Sequence, residues 1–356
     1  MVGSSDAKLR IFPFHPESPS YDPNEWSATG APPLLTIQIT NNYPVNSTPV
    51  ILPDERILVQ TQHSIDCWQI SNDFGWGAFL DWRFFPTGGA LSDSSSVKVY
   101  KQVCSSSPIH KAIAIANDSL YAIDLDTGAG GKLATLAVDD FYEHNSTPAI
   151  GYRADDECGQ FIYAAHRLGP EPVEEVPHFF AIDPAITPSG SDPTNTIVWR
   201  HPITRPDSFP GTLASPSVID AGPVIIPADD GYLYEFYHNG AQDVDDPPVL
   251  LTEQQEPLPD EQIETYLSGT AALGPNGEII FWGENLPNIH MFIFGENNEA
   301  ATPIETAGIG SWVHGAPALA LFDIDNVVRG RLIVNTPGNP NSADGCKVFE
   351  VRLSAV

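Results

Sequence analysis

The sequence predicts an all-β chain made by repeating one four-stranded antiparallel unit, and three observations carry that reading. Short runs of β-branched and aromatic residues recur along the 356 residues, each fenced by some of the 34 prolines and 28 glycines or by Asp and Ser; antiparallel strands and their turns are written this way. Helical spacing is nearly absent, with only Asp260–Leu267 reading as a turn or two of helix. One pattern also recurs, clearest in Ser215–His238: a Ser-Pro lead-in, an apolar strand, a second strand, an Asp-Gly turn and an aromatic strand.

In chain order, residues 1–33 are rich in Pro and Ser and are expected to lie extended over the surface. Residues 34–356 are expected to form one domain, and Leu34–Thr40 alternates as a strand. The first unit runs from Ser47–Val50 through Ile57–Gln60 to Ile65–Ile70. The second joins Ser107–Ile115, Ser119–Asp124, a Thr127-Gly128 turn and Lys132–Val138. The third joins Ser146–Ile150, Phe161–Ala165, His178–Asp183 and Ile197–His201, and Ser215–His238 is the fourth. The fifth runs Ser268–Leu273, Glu278–Trp282 and His290–Phe294; the sixth runs Gly315–Leu319, Arg331–Asn335 and Lys347–Arg352. The lead-in markers Pro49, Pro108, Pro148, Pro216, Ala271 and Pro317 recur at roughly 40–60 residues, a period that indicates blades around an axis rather than a sandwich. The expected fold is thus a six-bladed β-propeller of four-stranded antiparallel blades, or seven-bladed if residues 71–106 hold another. The last unit stops after its third strand, so Leu34–Thr40 is expected to complete that blade and close the ring.

Charge narrows the function. With 46 acidic against 16 basic residues the net charge is −30, which repels nucleic acid and anionic membrane. No apolar run approaches the ~18 residues of a membrane span. No D-x-D-x-D-G loop is present, and Asp124/Asp126 and Asp323/Asp325 read as turn formers. Asn46, Asn117 and Asn145 head glycosylation sequons, so N-glycans and a secreted or secretory location are expected, although MVGSSDAKLR has no apolar leader core. Of the four cysteines, Cys67 and Cys104 fall on strands expected to be neighbours, within reach of pairing; Cys158 and Cys346 fall in distant blades.

No catalytic signature stands out: H-E-x-x-H, G-x-S-x-G, Cys-x-x-Cys and phosphate-cradling Gly loops are all absent. The default site is therefore the rim where lead-in loops and the loops between second and third strands converge. The lead-in loops carry Tyr43, Asn46, Ser107, His110, Tyr142, His144, Phe209, Tyr266, Trp312 and His314; the other loops add His63, His166, Asp229 and Glu284. Such a rim suits a large apolar ligand held by stacking and a few hydrogen bonds. His144 and His314, each just before an inner strand, are the candidate catalytic residues. Trp312, Tyr266, Phe209, Tyr142, His110 and His63 are candidate substrate contacts. The competing reading is that such aromatics pack neighbouring blades. The aromatic segment Phe74–Phe85 reads either as an outer strand or as a cavity wall in which Trp82 and Arg83 touch the ligand. Gln242–Glu264 reads as a solvated acidic loop.

The repeat S-P-A-(I/V)…D-G-x-L-Y-A-I-D…T-G, seen in Asp118–Asp124 with Thr127-Gly128 and in Asp230–Phe236, resembles quinoprotein-like propellers from about Leu34 to Leu353. Quinone-dependent members carry a vicinal Cys-Cys pair, which is absent here. The length, acidity, sequons and irregular blades together resemble the fungal hetero-Diels–Alderases of tropolonic sesquiterpene pathways. That resemblance implies a cofactor-independent pericyclase joining a tropolone-derived quinone methide to a humulene-type polyene, with no metal; a homo-oligomer is compatible with it. Orientation alone can supply up to about 7–11 kcal/mol to such a reaction, and a histidine could act as the acid that releases water. Two other classes compete. One is a non-catalytic propeller binding a small molecule or a protein; the other is a calcium-dependent lactonase-like propeller using Asn46, Asn145 and Asp229.

Overall fold

The computed structural model describes residues 2–4, 6–11, 35–39, 42–45, 47–71, 77–87, 90–91, 95–102, 109–116, 119–136, 146–153, 156–165, 178–191, 193–202, 215–218, 224–227, 233–236, 271–273, 278–281, 289–293, 302–304, 318–324, 327–336 and 347–354. These residues form seven antiparallel sheets in chain order. The first holds β1 (Val2–Ser4), β2 (Lys8–Ile11) and β3 (Leu35–Gln38), and the second β4 (Val50–Ile51), β5 (Ile57–Gln60), β6 (Ile65–Ser71) and β7 (Gly77–Phe84). The third holds β8 (Lys98–Gln102), β9 (Ile109–Ala116), β10 (Ser119–Asp124) and β11 (Gly130–Thr135). The fourth holds β12 (Ala149–Arg153), β13 (Asp156–Ala165), β14 (His178–Ile182) and β15 (Ile197–Pro202). The fifth holds β16 (Ser217–Val218), β17 (Val224–Pro227) and β18 (Leu233–Phe236), and the sixth β19 (Ala272–Leu273), β20 (Glu278–Phe281), β21 (Ile289–Ile293) and β22 (Thr302–Ile304). The seventh holds β23 (Ala318–Ile324), β24 (Val327–Thr336) and β25 (Lys347–Ser354).

First strands touch first strands: β8 meets β12, β12 meets β16, β16 meets β19, and β19 meets β23. Sheets stacked face to face with their first strands innermost are the blades of a propeller. Alternation explains the packing. On β9, Ala112, Ala114 and Ala116 face a core shared with the second sheet through Leu58, Cys67, Trp82 and Phe84. Ile113 and Ile115 face a second core shared with the fourth sheet through Ile162, Ala164 and Phe180. A strand buried on both faces reads as a continuous apolar run, which is why IHKAIAIA carries so few polar residues. The small and large faces of β9 let one neighbour approach closely while the other is filled.

Several expectations need correcting. Residues 2–4 and 8–11 are strands rather than an extended surface segment, and Leu9 is buried with Ile37, Ile57, Val59 and Trp68 between the first two sheets. Leu35–Gln38 pairs with Lys8–Ile11, so its ladder lies in this N-terminal sheet rather than in the last one. The six predicted units therefore become seven sheets. Residues 71–106 supply β7, which completes the second sheet, and β8, which opens the third. Ile109–Ala116 is thereby a second strand and not an innermost one.

Candidate functional site

The repeated Ser/Thr lead-in builds a ladder across the blades. The Thr48 amide donates to Ser96 Oγ at 2.8 Å, the Ser96 amide to Thr147 Oγ1 at 2.9 Å, and the Thr147 amide to Ser215 Oγ at 2.7 Å. Ser217 Oγ donates onward to the Ala271 carbonyl at 2.6 Å. Within blades, Ser47 Oγ donates to the Gln60 carbonyl at 2.7 Å and Ser146 Oγ to the Ala165 carbonyl at 2.6 Å. In each case the first serine ties the innermost strand to the second, and the next residue reaches the following blade. Ser95 breaks the pattern. Its buried Oγ has no partner among the described residues, and Leu91 instead bridges Ala116 at the end of β9. The ladder marks the rim end, where innermost strands begin. Ser96, Thr147 and Ser215 are half-buried there, and each accepts a bond through its oxygen. The Ser96 and Thr147 hydroxyls, each accepting in this way, still have a proton to donate.

Beside the ladder, the rings of Tyr43 and His63 lie 3.9 Å apart between centroids, tilted by 43°. Two loops predicted to share the rim are thus in contact. The His63 loop is fixed from below: Thr61 Oγ1 accepts from the amides of His63 at 3.2 Å and Ser64 at 3.1 Å, and Ser64 Oγ donates to Asp66 at 2.9 Å. Arg83 closes the network with two 2.6 Å bonds to the fully buried Asp66 carboxylate. Bidentate pairing is what makes a buried carboxylate tolerable. Lys98 stands two residues beyond Ser96 on innermost β8. It keeps solvent contact, yet the surrounding protein lowers its ammonium below the ordinary value by desolvation.

His178 and His201 lie at the rim end of the fourth sheet. His201 packs 5.4 Å from Phe236 and 6.3 Å from Tyr234 of the fifth sheet. Burial, and then the proximity of His178, hold its imidazole below the ordinary value. The sequence reading took both histidines as ordinary strand residues and did not single out Lys98. The alternation of Ile197, Trp199 and His201 on one face of β15 was the available signal.

Other predicted residues are placed differently. Trp82 is buried in the core between the second and third sheets and donates from Nε1 to the Leu125 carbonyl at 2.9 Å. Arg83 is bound to Asp66. These are the places of an inter-blade packing residue and a network anchor. His110 starts β9 at the far end, because its strand is second in its sheet. His144, His314, Trp312, Tyr266, Phe209 and Tyr142 lie outside the described residues, as do Asn46, Asn117, Asn145, Asp229 and Gln242–Glu264. Cys67 is a free buried thiol rather than half of a pair with Cys104. Asp124 acts as the expected turn former, its carboxylate accepting from the amides of Asp126 and Thr127 and from the Thr127 hydroxyl. Gly128 completes that turn at φ 68°, where a Cβ would stand 2.8 Å from Trp82. Among the described residues no group of three His, Cys, Asp or Glu side chains is placed to hold a metal ion.

The class this geometry defines is an all-β protein of successive antiparallel blades. No family model matches the chain, and no curated protein matches it. Among solved structures it is similar to BamB from Moraxella catarrhalis, at 12% identity and a TM-score of 0.46, covering 86% of this chain and 73% of that one. It is also similar to a catalytically inactive virginiamycin B lyase from Staphylococcus aureus solved with quinupristin, at 10% identity and a TM-score of 0.48, covering 87% and 86%.

Proposed function

We propose that the rim end holds an apolar small-molecule site and that the chain is a cofactor-independent pericyclase. Its reaction is a hetero-Diels–Alder addition of a tropolone-derived quinone methide to a humulene-type polyene. The observation that carries this reading is the contact of Tyr43 with His63 beside a row of half-buried hydroxyls and Lys98. The aromatic surface suits a polyene. The hydroxyl protons and the ammonium suit the carbonyl oxygen of the partner, whose developing negative charge they would stabilise. His144 and His314 are proposed as the acid that assists loss of water from the precursor, with Trp312, Tyr266, Phe209 and Tyr142 enclosing the polyene. The first and last sheets are proposed to be neighbours around the axis, so that one central site results. The protein is proposed to pass through a secretory route with N-glycans at Asn46, Asn117 and Asn145.

The test incubates the protein with a quinone-methide precursor and humulene and follows product by chiral chromatography. The proposal expects a rate above buffer and one dominant stereoisomer, with His144→Ala and His314→Ala each slower by at least tenfold. A rate and stereoisomer ratio equal to buffer would remove the cyclase reading and leave a binding propeller.

A further inference from the structure

We propose that the outer edge of the second sheet is a docking edge for an extended protein segment that is both apolar and basic and adds beside β7 as a fifth strand. Strand β7 is outermost in its sheet, and no strand among the described residues pairs with its outer side. It also exposes large apolar side chains: Phe79 is 56% exposed, Leu80 37% and the following Phe85 57%. An apolar edge left unpaired by the described strands is a template for strand addition.

The outer strands of the third and fourth sheets are managed differently. The edge of β11 is covered by the connection that leads into β15, where the Thr135 amide donates to the Pro193 carbonyl at 2.7 Å and Thr196 Oγ1 to the Leu133 carbonyl at 2.8 Å. On β15 the exposed positions are Val198, Arg200 and Pro202, a charge and a proline being standard edge protection. On β7 the charges are tied to partners instead, Arg83 to the buried Asp66 and the partly exposed Asp81 to Arg56. The ladder shift opposite Cys67/Trp68 inserts Asp81 as an extra residue, leaving Gly77–Leu80 regularly paired and available.

The charge of the occupant follows from the neighbourhood. Arg56 is shared by Asp54, Asp81 and Asp126, whose side chains are 53%, 40% and 85% exposed. Three carboxylates around one guanidinium leave a negative surplus beside the apolar strand. A second copy would bring a net charge of −30 to this edge, so like-charge repulsion disfavours self-pairing. A segment alternating apolar and basic residues satisfies the backbone edge, the exposed side chains and the carboxylates together.

The test uses a fluorescein-labelled, acetylated octapeptide alternating Val and Lys, followed by anisotropy with the full chain. The proposal expects saturable binding that weakens with salt. It expects at least tenfold weaker binding to the Phe79→Lys/Leu80→Lys variant and several-fold weaker binding to Asp126→Asn, with circular dichroism confirming that both fold. A Val-Glu octapeptide should not bind, and a Val-Lys peptide N-methylated at each valine should lose at least tenfold. Equal binding of the N-methylated peptide, or unchanged binding to the double variant, would overturn strand addition. So would sedimentation showing a wild-type dimer that the double variant disperses.

Discussion

Trp82, Arg83, Cys67 and His201 carry the predictions at the scale of single residues. Trp82→Ala opens a cavity between two blades and removes the bond to Leu125, so chemical denaturation should show a loss of about 3–5 kcal/mol. Arg83→Met strands the buried Asp66 carboxylate and should cost a similar ~3–5 kcal/mol. Burial pushes the Cys67 thiol up to about 12; it should resist alkylation in the native protein and react once the chain is unfolded. For His201 the sign follows from its depressed value. The unfolded chain binds the proton more tightly, so the stability it supports is complete above the ordinary value of 6.5 and is lost as pH falls through the folded value. Thermal melts should therefore fall as pH drops below 6.5, and His201→Phe should flatten the profile. The aromatic density of Phe74–Phe85 was legible in the sequence. What Trp82 and Arg83 touch was not, because their partners Leu125 and Asp66 are set by blade packing and cross-strand pairing.

Among elements, the third sheet shows where reading from sequence succeeds and slips. The turn at Asp124–Gly128 and the flanking strands were legible because Asp, Thr and Gly each have a local reason to be there. The innermost strand was misassigned because Ser107-Pro108 imitates the lead-in motif, whereas the true lead-in, Ser95-Ser96, lacks the proline. The ladder bonds identify it, since Ser96 links Thr48 to Thr147. The Ser/Thr repeat was visible as a marker; its role, an inter-blade hydrogen bond, depends on contacts between residues about 50 apart and cannot be seen in one unit. Thr147→Val keeps the shape and removes the acceptor for the Ser96 amide, so it should cost about 1–3 kcal/mol in denaturant unfolding. Thr147→Ser should restore most of that.

At the scale of the molecule, the repeat made the blades legible, while the role of the N-terminus was hidden by its composition. Val2–Ser4 and Lys8–Ile11 are short and polar-rich, and they become strands because Leu35–Gln38 pairs with Lys8–Ile11 and because Leu9 reaches the core. The central claim is that ligands bind at the rim end, where Tyr43 meets His63 and the hydroxyl row begins. Hydrogen–deuterium exchange with and without a tropolone substrate analogue and humulene tests it most directly. The account predicts slowed exchange at residues 42–48, 61–66 and 95–98 on the rim. Protection confined to the far-end turn at residues 124–130, or none at all with ligand in excess, would contradict it.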